Sequence, residues 1–182
     1  MIDLQHFQAK ICITAAGFLV ENEKVLLIKH KKLKIWLAPG GHTESNELPH
    51  QTAEREFFEE TGIAVEAVPL GILKDSKTSQ YLPMPISSNV HWVSRENYES
   101  RLASRNPEDR YPTALWPKGC EQHFGLLYLM RAIGSTEFTQ NQEETDGIAW
   151  FSDAELDEIE TLEDIRAEAR LALKTERSYA KK

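Results

Sequence analysis

Residues 40–63 read GGHTESNELPHQTAEREFFEETGI, and this segment constrains the fold more than any other part of the chain. A double glycine opens it and predicts a turn directly after Pro39. Ser45 is a candidate N-cap for the helix that follows, and Pro49 comes early enough to be tolerated near the first helical turn. Gly62 stands where a left-handed residue would end that helix. The segment therefore predicts a glycine turn followed by one short helix.

Strands are predicted on both sides of this segment. Before it, KICITAAGFLV and VLLIKH read as a β-hairpin whose second strand ends near His30, and IWLA reads as a third short strand. After it, AVEAVPLGIL, HFGLLYLMRAI and IAWF read as strands. Two helix starts close the chain at capping-box spacing, Ser152 with Glu155 and Thr161 with Asp164. The last helix carries a rough apolar stripe that suits packing against a sheet.

The stretch from Lys74 to Gln122 is less regular. It holds five of the eight prolines, an apolar segment near ISSNVHWV and the charged run RENYESRLASRNPEDR. About 50 residues with so little apolar periodicity would hardly fold alone. We therefore interpret this stretch as an elaborated loop region with one strand, inside a single domain that spans residues 1–182.

Charge and hydropathy disfavour several functions. Lys and Arg number 21 against 29 Asp and Glu, so the formal charge is −8 and non-specific attraction to nucleic acid or anionic membrane is disfavoured. No apolar run approaches the roughly 18 residues that cross a bilayer. The start MIDLQHFQAK lacks the basic and apolar stretches of a signal peptide. We therefore expect a cytoplasmic protein with no membrane partner.

The two cysteines give no sequence signal for a cross-link. Cys12 lies in an apolar strand-like run and Cys120 in a Pro/Gly-containing segment, so no disulfide framework is expected and a reducing cytoplasm fits. The six histidines show no paired ligand spacing with either cysteine. A Cys/His zinc site is therefore not expected.

Three glutamates share one side of the predicted helix. Glu59 and Glu60 follow Glu56 by three and four residues, which places all three on one face. Arg55 can pair with Glu59, but one guanidinium cannot neutralise three carboxylates. Such a face is often simply solvated. Converging carboxylates on a rigid helix are also the ligands that Mg²⁺ or Mn²⁺ prefers, so both interpretations stand at this point.

The register of residues 41–63 resembles the signature box of the Nudix hydrolases. From Gly41, five residues intervene before Glu47 and seven more before Arg55. The remaining specified positions follow in register: Glu56, Phe57, Glu59, Glu60, Gly62 and Ile63. In that family the box forms a loop, a helix and a loop within an α/β/α sandwich built on a mixed sheet. The resemblance implies this α/β fold for most of the chain.

The resemblance also implies an activity, the hydrolysis of a diphosphate bond in a nucleoside diphosphate linked to another group. The metal, Mg²⁺ or Mn²⁺, would be held by Glu56, Glu59, Glu60 and the backbone carbonyl of Gly40 or Gly41. Arg55 would orient a carboxylate, and Glu47 with Gly41 would support the loop. A negatively charged protein that binds a polyanion needs metal ions to offset repulsion and to activate water.

A further carboxylate is expected, by the same resemblance, from the loop QNQEETDG before the IAWF strand. Glu143, Glu144 and Asp146 are the candidates. Glu144 is preferred for its distance from the strand, although a plain polar hairpin loop would read the same way. The sequence does not choose the general base, for which Glu56, Glu59 and Glu144 are candidates.

Two other functions fit the same residues. Removal of a 5′ end group from RNA would need a basic patch, for which the lysines of KHKKLK are available, although such a cluster is usually a solvated edge. A non-catalytic ligand-sensing module would be expected to lose box carboxylates, and this chain keeps them.

The partner is expected to be a small nucleotide-derived substrate, but no motif identifies its binding residues. The aromatic residues that could stack on a base are Trp36, Tyr81, Trp92, Tyr111 and Trp116, although packing is their commoner use. His42 and His123 read as a turn residue and a strand-edge residue. The sequence does not choose between a monomer and a homodimer.

Overall fold

The structure, a computed structural model, describes residues 8–71, 73–106, 108–113, 116 and 118–180. The strands are β1 (Ile11–Glu21), β2 (Lys24–His30), β3 (Trp36–Leu37), β4 (Gly40–His42), β5 (Val65–Ala67), β6 (Ser87–Trp92), β7 (Gln122–Ala132) and β8 (Thr145–Ser152). The helices are α1 (Pro49–Thr61), α2 (Arg95–Ser104) and α3 (Glu163–Tyr179), with a short 3-10 helix at Glu155–Asp157. None of the described helices is long and apolar enough to cross a membrane.

A parallel pair, β1 and β7, forms the centre of the sheet. Their register runs from Ile11 opposite Gln122 to Leu19 opposite Met130. β5 and β6 pair antiparallel with β7, and β4 pairs antiparallel with β1. The end of β1 forms the predicted hairpin with β2, which also pairs with β3 and β8. The sheet is therefore mixed.

Helices cover both faces of this sheet. The core between α1 and the sheet contains Ala15, Leu19, Ala53, Phe57, Tyr128 and Met130. The core between α3 and the opposite face contains Phe18, Leu27, Leu129, Ala169 and Leu173. Side chains alternate along β1 because successive strand residues point to opposite faces, and both faces are apolar where a helix covers them. This arrangement confirms the predicted α/β fold, an α/β/α sandwich on a mixed sheet.

Helix α1 begins later than the sequence predicted. It starts at Pro49 with Leu48 as its N-cap, so the expectation that Ser45 caps it is wrong. The Leu48 N–H donates to the Gln51 side chain at 3.0 Å, and proline at the first position removes a donor that would have no partner in the helix. The predicted end is confirmed, because Gly62 adopts a left-handed conformation with φ of 73°.

The turn predicted after Pro39 is instead the beginning of β4. Ala16 of β1 lies opposite Gly40. The two strands approach so closely that a Cβ on Gly40 would lie 2.5 Å from the carbonyl oxygen of Ala15. Glycine is therefore required here for strand pairing. The composition of Pro39, Gly40 and Gly41 suggested a turn. The sequence did not show that β1 pairs with this segment, because the two are not adjacent in the chain.

The stretch from Lys74 to Gln122 contains the predicted strand, β6, and also α2, which was not predicted. Ser94 caps α2 by accepting a hydrogen bond from the Asn97 N–H at 3.1 Å. The residues that α2 buries are Asn97 and Arg101. Because its buried face is polar, α2 has no apolar periodicity in the sequence.

A buried ion pair anchors α2 to the segment before β7. Arg101 Nε lies 2.5 Å from Glu121 Oε1 and Arg101 Nη2 lies 2.7 Å from Glu121 Oε2, and both residues are almost fully buried. Glu121 also accepts a hydrogen bond from the Lys10 N–H at 2.8 Å. The pair therefore fixes the approach to β7 against the residue that precedes β1.

One of the two predicted capping boxes forms. The Ser152 N–H donates to Glu155 Oε2 at 2.7 Å and the Glu155 N–H donates to Ser152 Oγ at 3.4 Å, at the 3-10 helix. Thr161 does not cap α3, whose N-cap is Leu162. The Thr161 hydroxyl donates instead to the carbonyl of Trp36 at 2.6 Å, which ties the start of α3 to β3.

Candidate active site

A cleft of about 500 Å³ lies beside β4 and α1. Its acidic lining residues are Glu56, Glu60, Glu143 and Glu144. Its basic lining residues are His30, Lys31, Lys32 and Lys118. The other lining residues are Gly40, Gly41, His42, Trp116 and Cys120. The cleft therefore combines a group of carboxylates with a group of cations, and most of the sequence-predicted site residues lie in it.

Glu60 is the buried carboxylate of the cleft. Its side chain is almost inaccessible, and Oε2 accepts a hydrogen bond from the Gly40 N–H at 3.0 Å. The pKa of Glu60 is raised to about 8, mainly by burial; the Gly40 N–H opposes this rise, and the charges of Glu56 and Glu144 add to it. A cation beside this carboxylate would stabilise its ionised form.

Glu56 lies directly against β4. Burial raises the pKa of Glu56, although the Arg55 guanidinium opposes that rise. A Cβ on Gly41 would overlap the Glu56 carboxylate. The glycine at position 41 therefore leaves the space in which this carboxylate sits.

Arg55 and Glu47 form a network that braces the loop before α1. Arg55 Nε lies 2.8 Å from Glu47 Oε1 and Arg55 Nη2 lies 3.0 Å from Glu47 Oε2, so the ion pair is bidentate. Glu47 also accepts from the Thr52 hydroxyl at 2.8 Å, and Arg55 donates to the His42 carbonyl at 3.3 Å. The hydrogen bond from Arg55 lowers the pKa of Glu47 to about 2, so this carboxylate stays ionised.

Glu59 is the outermost of the three glutamates on this face of α1. Its side chain is 49% exposed, and Oε2 lies 3.1 Å from Arg55 Nη1. The same nitrogen lies 2.9 Å from Glu56 Oε1. Arg55 therefore stands between Glu56 and Glu59, and Glu59 does not line the cleft.

The loop between β7 and β8 docks on the end of α1. The Asn141 N–H donates to the Glu60 carbonyl at 3.4 Å, and Asn141 Nδ2 donates to the Glu59 carbonyl at 3.3 Å. These bonds satisfy carbonyls at the helix end that lack a partner within the helix. The loop is thereby held beside the box glutamates.

Two of the three acidic candidates in that loop line the cleft. These are Glu143 and Glu144, and both are exposed. Asp146 belongs to β8 and pairs with Lys34 Nζ at 2.6 Å. Glu144 therefore lies in the same cleft as Glu56 and Glu60, and Asp146 is not one of the residues that line it.

The basic lining of the cleft was not predicted as part of the site. Lys31 is held there by its N–H, which donates to the Glu144 carbonyl at 3.0 Å, and by Nζ, which donates to the Gln142 carbonyl at 2.8 Å. The lysine run after β2 was visible in the sequence, where it was interpreted as a solvated edge or as a basic patch for an RNA end. Nothing in the sequence indicated that Lys118 lies in the cleft. Its position depends on the pairing of β7 with β1, because Lys118 comes shortly before β7.

Cys12 and Cys120 form a disulfide, so the expectation of no cross-link is wrong. In the parallel pairing of β1 with β7, Cys12 lies opposite His123, only three residues after Cys120. The two cysteines are 108 residues apart in sequence. That separation is why spacing gave no indication of the contact.

One histidine, His42, lies against this cysteine pair, and a second, His123, packs against His42. His42 Nε2 is 3.2 Å from Cys120 Sγ, and the ligand atoms of Cys12, His42 and Cys120 all lie within 4.8 Å of one another. The ring of His123 packs edge-on to His42, with 4.8 Å between centroids. The spacing of the histidines and cysteines in the sequence did not indicate this proximity, because Cys12, His42 and Cys120 come from three separate parts of the chain. Among the described residues, the box glutamates form no group of three this compact.

The fold and the site define a hydrolase whose acidic loop-helix-loop segment is set against a mixed-sheet sandwich. The chain belongs to the NUDIX family, because the NUDIX domain model matches residues 13–173. A solved hydrolase of the NUDIX family from Clostridium perfringens superposes with a TM-score of 0.64 at 25% identity, covering 90% of this chain and 96% of that chain.

Curated relatives match shorter parts of the chain. The probable DHNTP pyrophosphohydrolase of Lactococcus lactis subsp. cremoris (strain MG1363) is 42% identical over 50 residues, or 28% of this chain and 30% of that protein. The putative ADP-ribose pyrophosphatase YjhB of Bacillus subtilis (strain 168) is 24% identical over 120 residues, or 62% of this chain and 58% of that protein. The matched regions therefore span less than two thirds of these relatives' lengths.

Proposed function

We propose that this NUDIX hydrolase cleaves the diphosphate bond of a nucleoside diphosphate linked to another group, by attack of water on phosphorus. The observation that carries the proposal is the buried Glu60 carboxylate, which lies with Glu56 in a cleft that also contains a cationic lining. Similar proteins are named as a pyrophosphohydrolase, a diphosphatase and a pyrophosphatase. Those names support the diphosphate bond as the target.

The proposed metal site consists of Glu56, Glu59, Glu60 and the carbonyl oxygen of Gly40. Carboxylate and carbonyl oxygens suit Mg²⁺ or Mn²⁺. The raised pKa of Glu60 supports this set, because a neighbouring cation would offset the cost of burying its charge. When bound, the metal would neutralise phosphate charge and lower the pKa of a water. Arg55, held by Glu47, would orient Glu56 and Glu59.

The position of each carboxylate narrows the choice of general base. Glu56 and Glu144 line the cleft, so either can accept a proton from a water held there. Glu59 lies outside the lining and is paired with Arg55. We therefore assign water activation to Glu56 or Glu144, and we keep Glu59 as a metal ligand only.

The cationic lining suits a compact polyanion. Lys31, Lys32 and Lys118 can bind phosphate oxygens while the carboxylates hold metal. Trp116 offers a ring on which a base could stack. The formal charge of −8 favours a small nucleotide derivative over an RNA end. We also propose a cytoplasmic monomer or homodimer, which cell fractionation and light scattering would test.

A substrate panel tests this function. The protein would be incubated with sugar-linked and nucleoside-linked diphosphates and with nucleoside triphosphates, in Mg²⁺, in Mn²⁺ and in excess EDTA. We expect cleavage in either metal and at least a thousandfold loss in EDTA, about what several kcal/mol of charge stabilisation provides. ¹⁸O from labelled water should appear in a phosphate product. Cleavage that EDTA leaves unchanged, or no cleavage across the panel, would refute the proposal.

The buried carboxylate also predicts a pH dependence of stability. In EDTA, the folded state holds a proton on Glu60 up to about pH 8, whereas the unfolded chain releases it near the ordinary value of 4.5. The folded state then binds more protons, so its free energy of unfolding should fall as the pH rises from about 5 to about 8. Thermal unfolding would measure this, with Glu60→Gln as the comparison. Equal pH slopes in the variant and the wild type would contradict the assignment.

A further inference from the structure

The Cys/His cluster lies at the wall of the cleft and is separate from the box glutamates. Cys12 comes from β1, His42 from β4 and Cys120 from the segment before β7, and their ligand atoms lie within 4.8 Å of one another. His42 and Cys120 line the cleft. Two sulfurs and an imidazole nitrogen in one small volume are three of the four ligands of a tetrahedral zinc site.

A fourth candidate ligand, His123, lies outside this compact group, and its ring packs against that of His42 with 4.8 Å between centroids. His123 is 9% exposed, and its Nε2 is buried with no hydrogen-bond partner in the described part of the chain. A buried polar atom without a partner costs free energy, so it calls for an explanation. A neutral imidazole has the lone pair that a metal requires.

We propose that Cys12, His42 and Cys120 bind Zn²⁺ when the disulfide is reduced, with His123 as the fourth ligand. The cysteine pair then has two states, and both connect β1 to the chain at the start of β7. One is the covalent bond between the sulfurs, and the other is a zinc ion shared by β1, β4 and β7.

The conversion between these states balances. A thiol reductant supplies two electrons and two protons: two R–SH become R–S–S–R while the disulfide becomes two cysteine thiols. Zn²⁺ then displaces two protons from those thiols and binds two thiolates and two neutral imidazoles. The ion and the two thiolates have no net charge, which suits a partly buried position.

The spacing of the cluster suits tetrahedral zinc. With Zn–S bonds of about 2.3 Å and Zn–N bonds of about 2.0 Å, neighbouring ligand atoms lie about 3.3–3.8 Å apart. His42 Nε2 is already 3.2 Å from Cys120 Sγ. Reduction frees the sulfurs to move apart to that spacing. The box glutamates offer hard oxygen ligands, so the two sites would select different ions.

Cobalt absorption tests the site because thiolate ligands give Co²⁺ a charge-transfer band that carboxylates do not. The full chain would be reduced with dithiothreitol, desalted without oxygen and checked for two free thiols. We expect one Co²⁺ per chain with this band, and its displacement by one equivalent of Zn²⁺. Without reduction, no band should appear.

Variants identify the ligands. Cys12→Ser and His42→Gln should each weaken Zn²⁺ binding at least about a hundredfold in competition with a chromogenic chelator, and His123→Ala at least about tenfold. His50→Ala, a histidine of α1 outside the cluster, should bind as the wild type does. Thermal unfolding of each variant without metal shows whether it is folded.

Three results would overturn the proposal. The first is two free thiols in folded protein with no charge-transfer band. The second is Zn²⁺ affinity unchanged in both Cys12→Ser and His42→Gln, which would assign the ion to carboxylates. The third is a disulfide that thiols reduce only when the chain unfolds, which would make the pair a permanent cross-link.

Discussion

Replacing Glu60 with glutamine is expected to lower kcat at least about a hundredfold while the fold stays intact. Glutamine keeps the oxygen that accepts the Gly40 N–H bond, but it lacks the negative charge proposed to bind metal. The wild-type side chain is almost fully buried and its pKa is raised to about 8, so the neutral variant should be at least as stable without metal. A loss of rate therefore could not be attributed to unfolding.

The measurement is a metal titration of kcat with the best substrate of the panel. The Mg²⁺ concentration for half-maximal rate should rise in Glu60→Gln. Glu54→Gln is the matched control, because Glu54 lies on the same helix, accepts a hydrogen bond from the Ala67 N–H at 2.9 Å and does not line the cleft. Its kcat should stay within about twofold of the wild type. If Glu60→Gln reaches the wild-type kcat at saturating Mg²⁺, the proposal that Glu60 is a metal ligand is wrong.

Replacing Arg101 with methionine should cost about 3–5 kcal/mol of unfolding free energy. Arg101 and Glu121 are almost fully buried, so the variant leaves an uncompensated carboxylate in the interior. For a chain of this size the loss corresponds to a fall in Tm of about 6–20 °C. Urea unfolding with unchanged slope would give the free energy directly.

An exposed ion pair provides the comparison. Arg131 Nη2 lies 2.6 Å from Glu66 Oε1, with side chains 55% and 47% exposed. Arg131→Met should therefore cost less than about 1 kcal/mol. The double variant Arg101→Met/Glu121→Leu should recover much of the loss, because no buried charge remains. If Arg101→Met costs no more than Arg131→Met, the buried pair does not hold α2 in place.

The parts of the structure that the sequence predicted are those with local determinants. The end of α1 followed from Gly62, and the first hairpin followed from two apolar runs around a polar turn. The α/β sandwich followed from the box register, which indicated the family. The start of α1 was misplaced because Ser45 looked like a cap, whereas Pro49 is the first helical residue.

The parts that the sequence missed depend on distant or polar contacts. β4 forms because β1 lies beside two glycines, and α2 forms around Asn97 and Arg101, whose burial no hydropathy pattern shows. The cysteine pair and Lys118 depend on how β7 aligns with β1. Within the site, the spacing of the sequence was enough to identify the box glutamates, but the lysines that line the cleft could be identified only from the folded structure.

The pairing of β1 with β7 also has a consequence for how the chain folds during synthesis. Ile11 lies opposite Gln122, so 122 − 11 = 111 positions separate them. At about 5–20 residues per second, a ribosome needs roughly 6–22 seconds to make that distance. Until then β7 is not available to pair with the apolar residues of β1. Closing so long a loop is also slow. We expect the nascent chain to depend on chaperones during that interval, and the cleft to form only after β7 has emerged.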